Sequence, residues 1–168
     1  MGRDYKTGRN LVFFDLETQK SASDVGGWAN ISKLGLSLAV TYSENDGYNT
    51  FMEKNVDKLV RYLTSADAVV GFNHVEFDYE VLTAYTSENL RALENIDMLL
   101  HIREKTGVRV SLDHLAKVSL GRKKSSDGLQ AIEWYSQGKM QLIEDYCRED
   151  VAITRALFYL RANNDTKS

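Results

Sequence analysis

The apolar pattern of this chain changes character about a third of the way along, and that change restricts the fold more than any other feature. Before it come three extended segments, residues 10–16, 31–42 and 48–52, the last two joined by Asn45-Asp46-Gly47. Asp-Gly between apolar runs is a hairpin signal, because both residues tolerate the positive φ of a tight turn. An antiparallel three-stranded meander is expected. After it, helical and extended patterns alternate: a helix at 56–64, a strand at 68–72, a helix at 76–85 and a short strand at 95–98. Alternation of this kind implies parallel strands joined by crossover helices. A helix beginning near Ser111, a basic loop, and a long final helix over 140–161 complete the reading. The two halves together predict an α/β fold with a central mixed five-stranded sheet, strands 1–3 antiparallel and the later ones parallel, flanked by helices.

Two carboxylates stand at the tip of the first strand, in Leu11-Val12-Phe13-Phe14-Asp15-Leu16-Glu17-Thr18. Residues i and i+2 of a strand share a face, so Asp15 and Glu17 point the same way, with Leu11 and Phe13 behind them. Like charges this close need a retained proton or a cation between them. Oxygen clusters of this type suit hard divalent ions such as Mg²⁺ or Mn²⁺. Standing alone, the pair also fits a solvated turn or a helix cap.

Two further acids turn inward. On the final helix, Ile143, Cys147, Val151, Thr154, Leu157 and Phe158 form an apolar stripe, and Tyr146 and Asp150 lie beside or within it. Glu144 and Arg148 face elsewhere, as an ordinary surface pair. A carboxylate turned toward the core needs a partner, and a Tyr-Asp hydrogen bond would supply one. In Gly71-Phe72-Asn73-His74-Val75-Glu76-Phe77-Asp78 an apolar strand ends and a helix begins. Asp78 there shares a face with Val81, Leu82 and Tyr85, and also fits a first-turn acid favoured by the helix dipole. Strand ends of an α/β sheet are where ligand sites gather.

The chain of 168 residues, 43% hydrophobic and 27% charged, suffices for one sizeable core. One domain is expected over 1–168, with its core at about 8–162 and frayed ends at 1–7 and 163–168. No apolar run approaches the roughly 20 residues of a membrane span, and the start lacks the apolar segment of a secretory signal. Gly2 begins a myristoylation-like pattern that Lys6 breaks. A cytoplasmic protein that does not engage membranes is the expectation. The single Cys147 excludes an internal disulfide. His74, His101 and His114 are too scattered for a spacing-defined zinc site, so surface or capping roles are expected. The net charge of −3 leaves a nucleic-acid partner open, because a local basic strip matters more than the total.

Three motifs, in order, resemble those of the DEDD superfamily of 3′–5′ exonucleases, which have the ribonuclease H-like fold. Asp15-Leu16-Glu17 is similar to its D-x-E motif, Asn73 to Asp78 to its N-x-x-x-F/Y-D motif, and Tyr146 to Asp150 to its Y-x-x-x-D motif. The last spacing resembles the tyrosine branch (DEDDy), since the histidine branch carries His where this chain has Asp145. The resemblance extends over about 8–162. Phe14 to Thr18, Gly71-Phe72-Asn73, Ile96-Asp97 and Ser111-Leu112 look most like ribonuclease H-like nucleases found alone or fused to helicases and other nucleases.

This resemblance implies a metal-dependent exonuclease that removes nucleoside 5′-monophosphates from the 3′ ends of single-stranded DNA or RNA. It implies two divalent ions, Mg²⁺ or Mn²⁺, held by Asp15, Glu17, Asp78 and Asp150, with Tyr146 positioning the attacking water. Asn73 would bind the terminal nucleotide or fix a loop, and Phe77 would pack under Asp78. Four carboxylates repel phosphate, so the strand must be gripped elsewhere. Candidates are the basic run Arg122-Lys123-Lys124, which also reads as a solvated charge run, and Trp28, which could stack on a base. Trp134 and Tyr135 could stack too, with core packing expected for at least one. Asp97 could join the acids, although helix capping suits it better. A helicase or polymerase partner, a structure-selective endonuclease and a catalytically silent nucleic-acid-binding module all remain open.

Overall fold

The computed structural model describes residues 8–165. The segment 1–7, expected to fray and including Gly2 and Lys6, lies outside the described residues, as do 166–168. Strand β1 (Leu11–Thr18) is central, flanked by β2 (Leu36–Ser43) and β4 (Ala68–Gly71), with β3 (Gly47–Met52) and β5 (Asn95–Asp97) at the edges. β1 and β2 pair antiparallel, as do β2 and β3; β1 pairs parallel with β4, and β4 with β5. This is the expected mixed sheet, a meander followed by two crossover strands.

Alternation along β1 divides the core. Leu11 and Phe13 face one layer with Leu38, Val40 and Val70, against α6 (Met140–Asp165) and α4 (Leu112–Leu120). Val12, Phe14 and Leu16 face the other layer with Val69, against α1 (Val56–Thr64) and α2 (Tyr79–Leu82). The predicted α6 stripe of Ile143, Cys147, Val151, Thr154, Leu157 and Phe158 is buried throughout. Phe158 meets Phe13 edge-on, with ring centroids 5.5 Å apart. Full burial of such side chains contributes roughly 1.5–3 kcal/mol each, which fixes α6 across the sheet. Among the described residues, no helix is long and apolar enough to cross a membrane.

Several boundaries differ from the sequence expectation. The second strand starts at Leu36 rather than residue 31, because Trp28–Lys33 forms a 3-10 turn. Leu34, Leu36, Leu38 and Val40 alternate across that boundary, so the strand period runs on past the real strand. Gly35 ends the turn at φ 72°, where an added Cβ would press on Gln19. Helix 76–85 is in fact a π-helical turn, His74–Asp78, leading into the short α2. Two helices lie outside the sequence expectation. α3 (Met98–Thr106) is capped by Asp97 and ended by Gly107, and α5 (Gly128–Ser136) is capped by Asp127. Both have capping acids in the sequence but weak apolar periodicity. Residues 163–165, expected to fray, continue α6. His74, expected at the surface or at a cap, is fully buried.

Candidate active site

The β1–β4 ladder pairs only Leu11–Phe13 with Ala68–Val70, so the end of β1 runs past its parallel neighbour. The chain leaves β4 at Gly71 and turns at Asn73 in left-handed backbone (φ 61°). The π-helical turn then brings Asp78 back over the end of β1. There the Leu16 N–H donates to Asp78 Oδ1 at 3.2 Å, taking a side-chain acceptor where β4 has ended. Asp78 is thereby held between Asp15 and Glu17 along the chain.

Leu11, Phe13, Asp15 and Glu17 share the face that α6 covers. Asp15 and Glu17 therefore meet α6 at Cys147, inside its apolar stripe. The Cys147 thiol donates to the Asp15 backbone oxygen (3.5 Å) and to Asp15 Oδ2 (3.7 Å). Asp15, Glu17 and Cys147 each place a ligand atom within 4.8 Å of the others. Asp150, three residues beyond Cys147, lines one cleft together with Asp15. Lys124 closes the cluster: its Nζ donates to Asp150 Oδ2 and to Tyr146 Oη, each at 3.0 Å.

Asp15, Glu17 and Asp150 thus share one ammonium group, with Asp78 beside Asp15, in a buried setting where ionisation is costly. Burial, then the neighbouring Asp150, lifts Asp15 to about 7. Burial lifts Asp150 to about 6, with the Lys124 ammonium restraining the rise. Burial and then Asp15 push Glu17 and Asp78 well above the usual carboxylate range. Burial and then Asp150 raise the Tyr146 phenol, so it stays neutral at any ordinary pH. For Lys124, burial lowers the pKa, but the carboxylates outweigh it and the net shift is upward.

The sequence model of the RNase H superfamily matches residues 12–161. The chain belongs to the RNase H superfamily. No curated protein sequence matches it. Among solved structures, the family B DNA polymerase from the hyperthermophilic archaeon Pyrobaculum calidifontis is similar, with a TM-score of 0.67 at 16% sequence identity. The likeness covers 89% of this chain and 24% of the polymerase chain, so the chain spans about a quarter of that protein. At this identity the likeness concerns the fold, which is that of an RNase H-like nuclease domain.

The donor set of this RNase H-like domain suits a hard divalent ion. Three of its four carboxylates, Glu17, Asp78 and Asp150, are buried. Asp150 Oδ1 is buried without a hydrogen-bond partner among the described residues. A bound cation would satisfy that oxygen and offset the burial cost and mutual repulsion that raise the pKa values of the cluster.

Two clefts flank the acids. One, of about 630 Å³, runs from Glu17 past Phe77 to Trp28, Leu129 and Ile132 and is largely apolar. Trp28 is 70% exposed and meets the Phe77 ring edge-on at 6.4 Å. The other, of about 500 Å³, joins Asp15 and Asp150 to Asn73, Arg109 and Ser111. Among the expected strand-gripping residues, Trp28 and Phe77 line the first cleft and Asn73 the second. The basic run divides: Arg122 and Lys123 are exposed, whereas Lys124 turns into the acid cluster. Trp134 and Tyr135 pack partly buried against the core, Trp134 edge-on to Tyr146. Arg109 and Leu129 line these clefts, and Cys147 lies beside the acids, without a functional signal in the sequence. Nothing in their spacing marks Arg109 and Leu129, and Cys147 read as part of an apolar stripe.

Proposed function

We propose that this domain is a metal-dependent 3′–5′ exonuclease of the tyrosine branch of the DEDD superfamily, acting on single-stranded DNA or RNA ends. The observation that carries this reading is the convergence of Asp15, Glu17, Asp78, Tyr146 and Asp150, from three separate segments, at one end of the sheet between two clefts. Asp15, Glu17, Asp78 and Asp150 would hold two divalent ions, Mg²⁺ or Mn²⁺. Such ions supply the charge that activates water and stabilises the departing 3′ oxygen.

The chain's own groups do the rest. Tyr146, kept neutral by its surroundings, serves as a hydrogen-bonding group that orients the water and does not act as the base. The apolar cleft beside Glu17 receives the terminal nucleoside, with Trp28 and Phe77 offering stacking faces. Arg109 and Asn73, in the polar cleft on the other side of Asp15, contact the backbone of the strand. Lys124 holds Asp150 and Tyr146 in register from its place in the cluster.

The test incubates the protein with 5′-labelled single-stranded DNA and RNA of equal length, in Mg²⁺, Mn²⁺ or EDTA, beside the Asp150→Ala and Glu17→Gln variants. A descending ladder that requires metal and is lost in both variants supports the reading. In parallel lanes with a four-way DNA junction and an RNA–DNA hybrid, internal cuts without a ladder on the single strands would replace it with an endonuclease. Strand binding without cleavage would leave a binding module.

A further inference from the structure

One buried acid lies outside the proposed catalytic set. Asp97 ends β5, and its side chain is 2% exposed. Its Oδ1 accepts from the backbone N–H groups of Asn73 (2.9 Å), Leu99 (3.1 Å) and Leu100 (3.2 Å), and its Oδ2 from Val75 N–H (3.1 Å). Capping α3 uses only the Leu99 and Leu100 contacts. The other two reach across to the turn that carries Asp78.

That turn is costly to hold. Asn73 is the only non-glycine residue at positive φ among the described residues, in a backbone region that side chains other than glycine uncommonly adopt. His74–Asp78 then winds as a π-helical turn, a rare geometry that needs external support. His74 is packed into the same pocket: its Nε2 contacts Asn95 Oδ1 at 3.2 Å, its Nδ1 lies 3.6 Å from Asp97 Oδ2, and its ring sits edge-on to Tyr79. The opening of the turn is thus anchored at both Asn73 and Val75 by one carboxylate. Its far end delivers Asp78 Oδ1 to the Leu16 N–H, between the two acids of β1.

We propose that Asp97 is a positioning residue for the active site, setting Asp78 and Asn73 through the backbone of this turn. The proposal rests on the nuclease reading given above. Asp97 contacts neither substrate nor metal. Its two oxygens determine where the turn begins, and the turn determines where Asp78 ends.

Two variants separate positioning from capping. Asp97→Ser keeps a good helix cap for α3, but its short hydroxyl cannot span to both Asn73 and Val75. Asp97→Asn keeps the size and one acceptor, but sets an amide N–H₂ where Val75 N–H needs an acceptor. Val60→Ala, a core truncation on α1, serves as a control for lost stability alone. Mn²⁺ binding is measured by calorimetric titration at a temperature where all proteins are folded, alongside kcat on a single-stranded oligonucleotide and Tm. The expected result is at least a tenfold weaker Mn²⁺ Kd and at least a tenfold lower kcat in both Asp97 variants, with Val60→Ala lowering only Tm. If both Asp97 variants bind Mn²⁺ and turn over like Val60→Ala, positioning is overturned and Asp97 is a cap. If the wild-type protein itself neither binds Mn²⁺ nor cleaves, the nuclease reading fails first and takes this proposal with it.

Discussion

Replacing Asp15 with asparagine stabilises the metal-free protein at alkaline pH, even though it removes a residue assigned to the chemistry. In the folded protein, burial and then Asp150 raise Asp15 from the ordinary 3.8 to about 7. At 1.36 kcal/mol per pH unit, that gap corresponds to about 4 kcal/mol of destabilisation once the group is ionised. The sign follows from linkage: the folded state binds this proton more tightly than the unfolded chain, so stability falls as pH rises. The penalty is negligible below about pH 4, grows between pH 4 and 7, and is complete above 7. Asparagine keeps the shape and removes the charge. Urea denaturation in EDTA at pH 8 should show Asp15→Asn more stable than wild type by about 2–4 kcal/mol, the lower end allowing for relaxation of the coupled acids. At pH 5 the advantage should shrink by more than half. Saturating Mn²⁺ should stabilise wild type more than the variant, because ligand binding to the folded state adds to its stability. A variant no more stable than wild type at pH 8 in EDTA would refute the electrostatic account of the cluster.

Lys124→Met removes the ammonium that pairs with Asp150. Its metal-free form should lose about 3 kcal/mol of stability, while calorimetry should show tighter Mn²⁺ binding because Asp150 Oδ2 is freed. Gly71→Ala should cost about 1–3 kcal/mol in urea denaturation, since the new Cβ would lie 2.6 Å from the buried His74 ring. Trp28→Ala should leave Tm unchanged, the side chain being 70% exposed. It should weaken binding of a single-stranded oligonucleotide about tenfold by fluorescence anisotropy, in line with a stacking contribution of roughly 1–3 kcal/mol per base.

Much of this molecule is local in origin and so can be read along the chain. The Asp-Gly turn, the period-two alternation in β1 and the three- and four-residue spacing in α6 each encode burial of one face, and together they require a mixed sheet with helices on both sides. Alternation also fixes that Asp15 and Glu17 share a face, and helical spacing that Tyr146 and Asp150 lie one turn apart. Tertiary structure alone decided how these segments meet. Lys124 belongs to a basic run whose neighbours are exposed, and only the packing of α5 and α6 turns its ammonium onto Asp150. Asp97 reads equally as a helix cap, and its second task exists only because β5 lies beside β4 and brings it under the turn at Asn73. Arg109 and Leu129 carry no local signal, since a cleft is defined by residues distant in sequence. Periodicity reports which face of an element is buried; what that face is buried against is a property of long-range contacts that no local pattern contains.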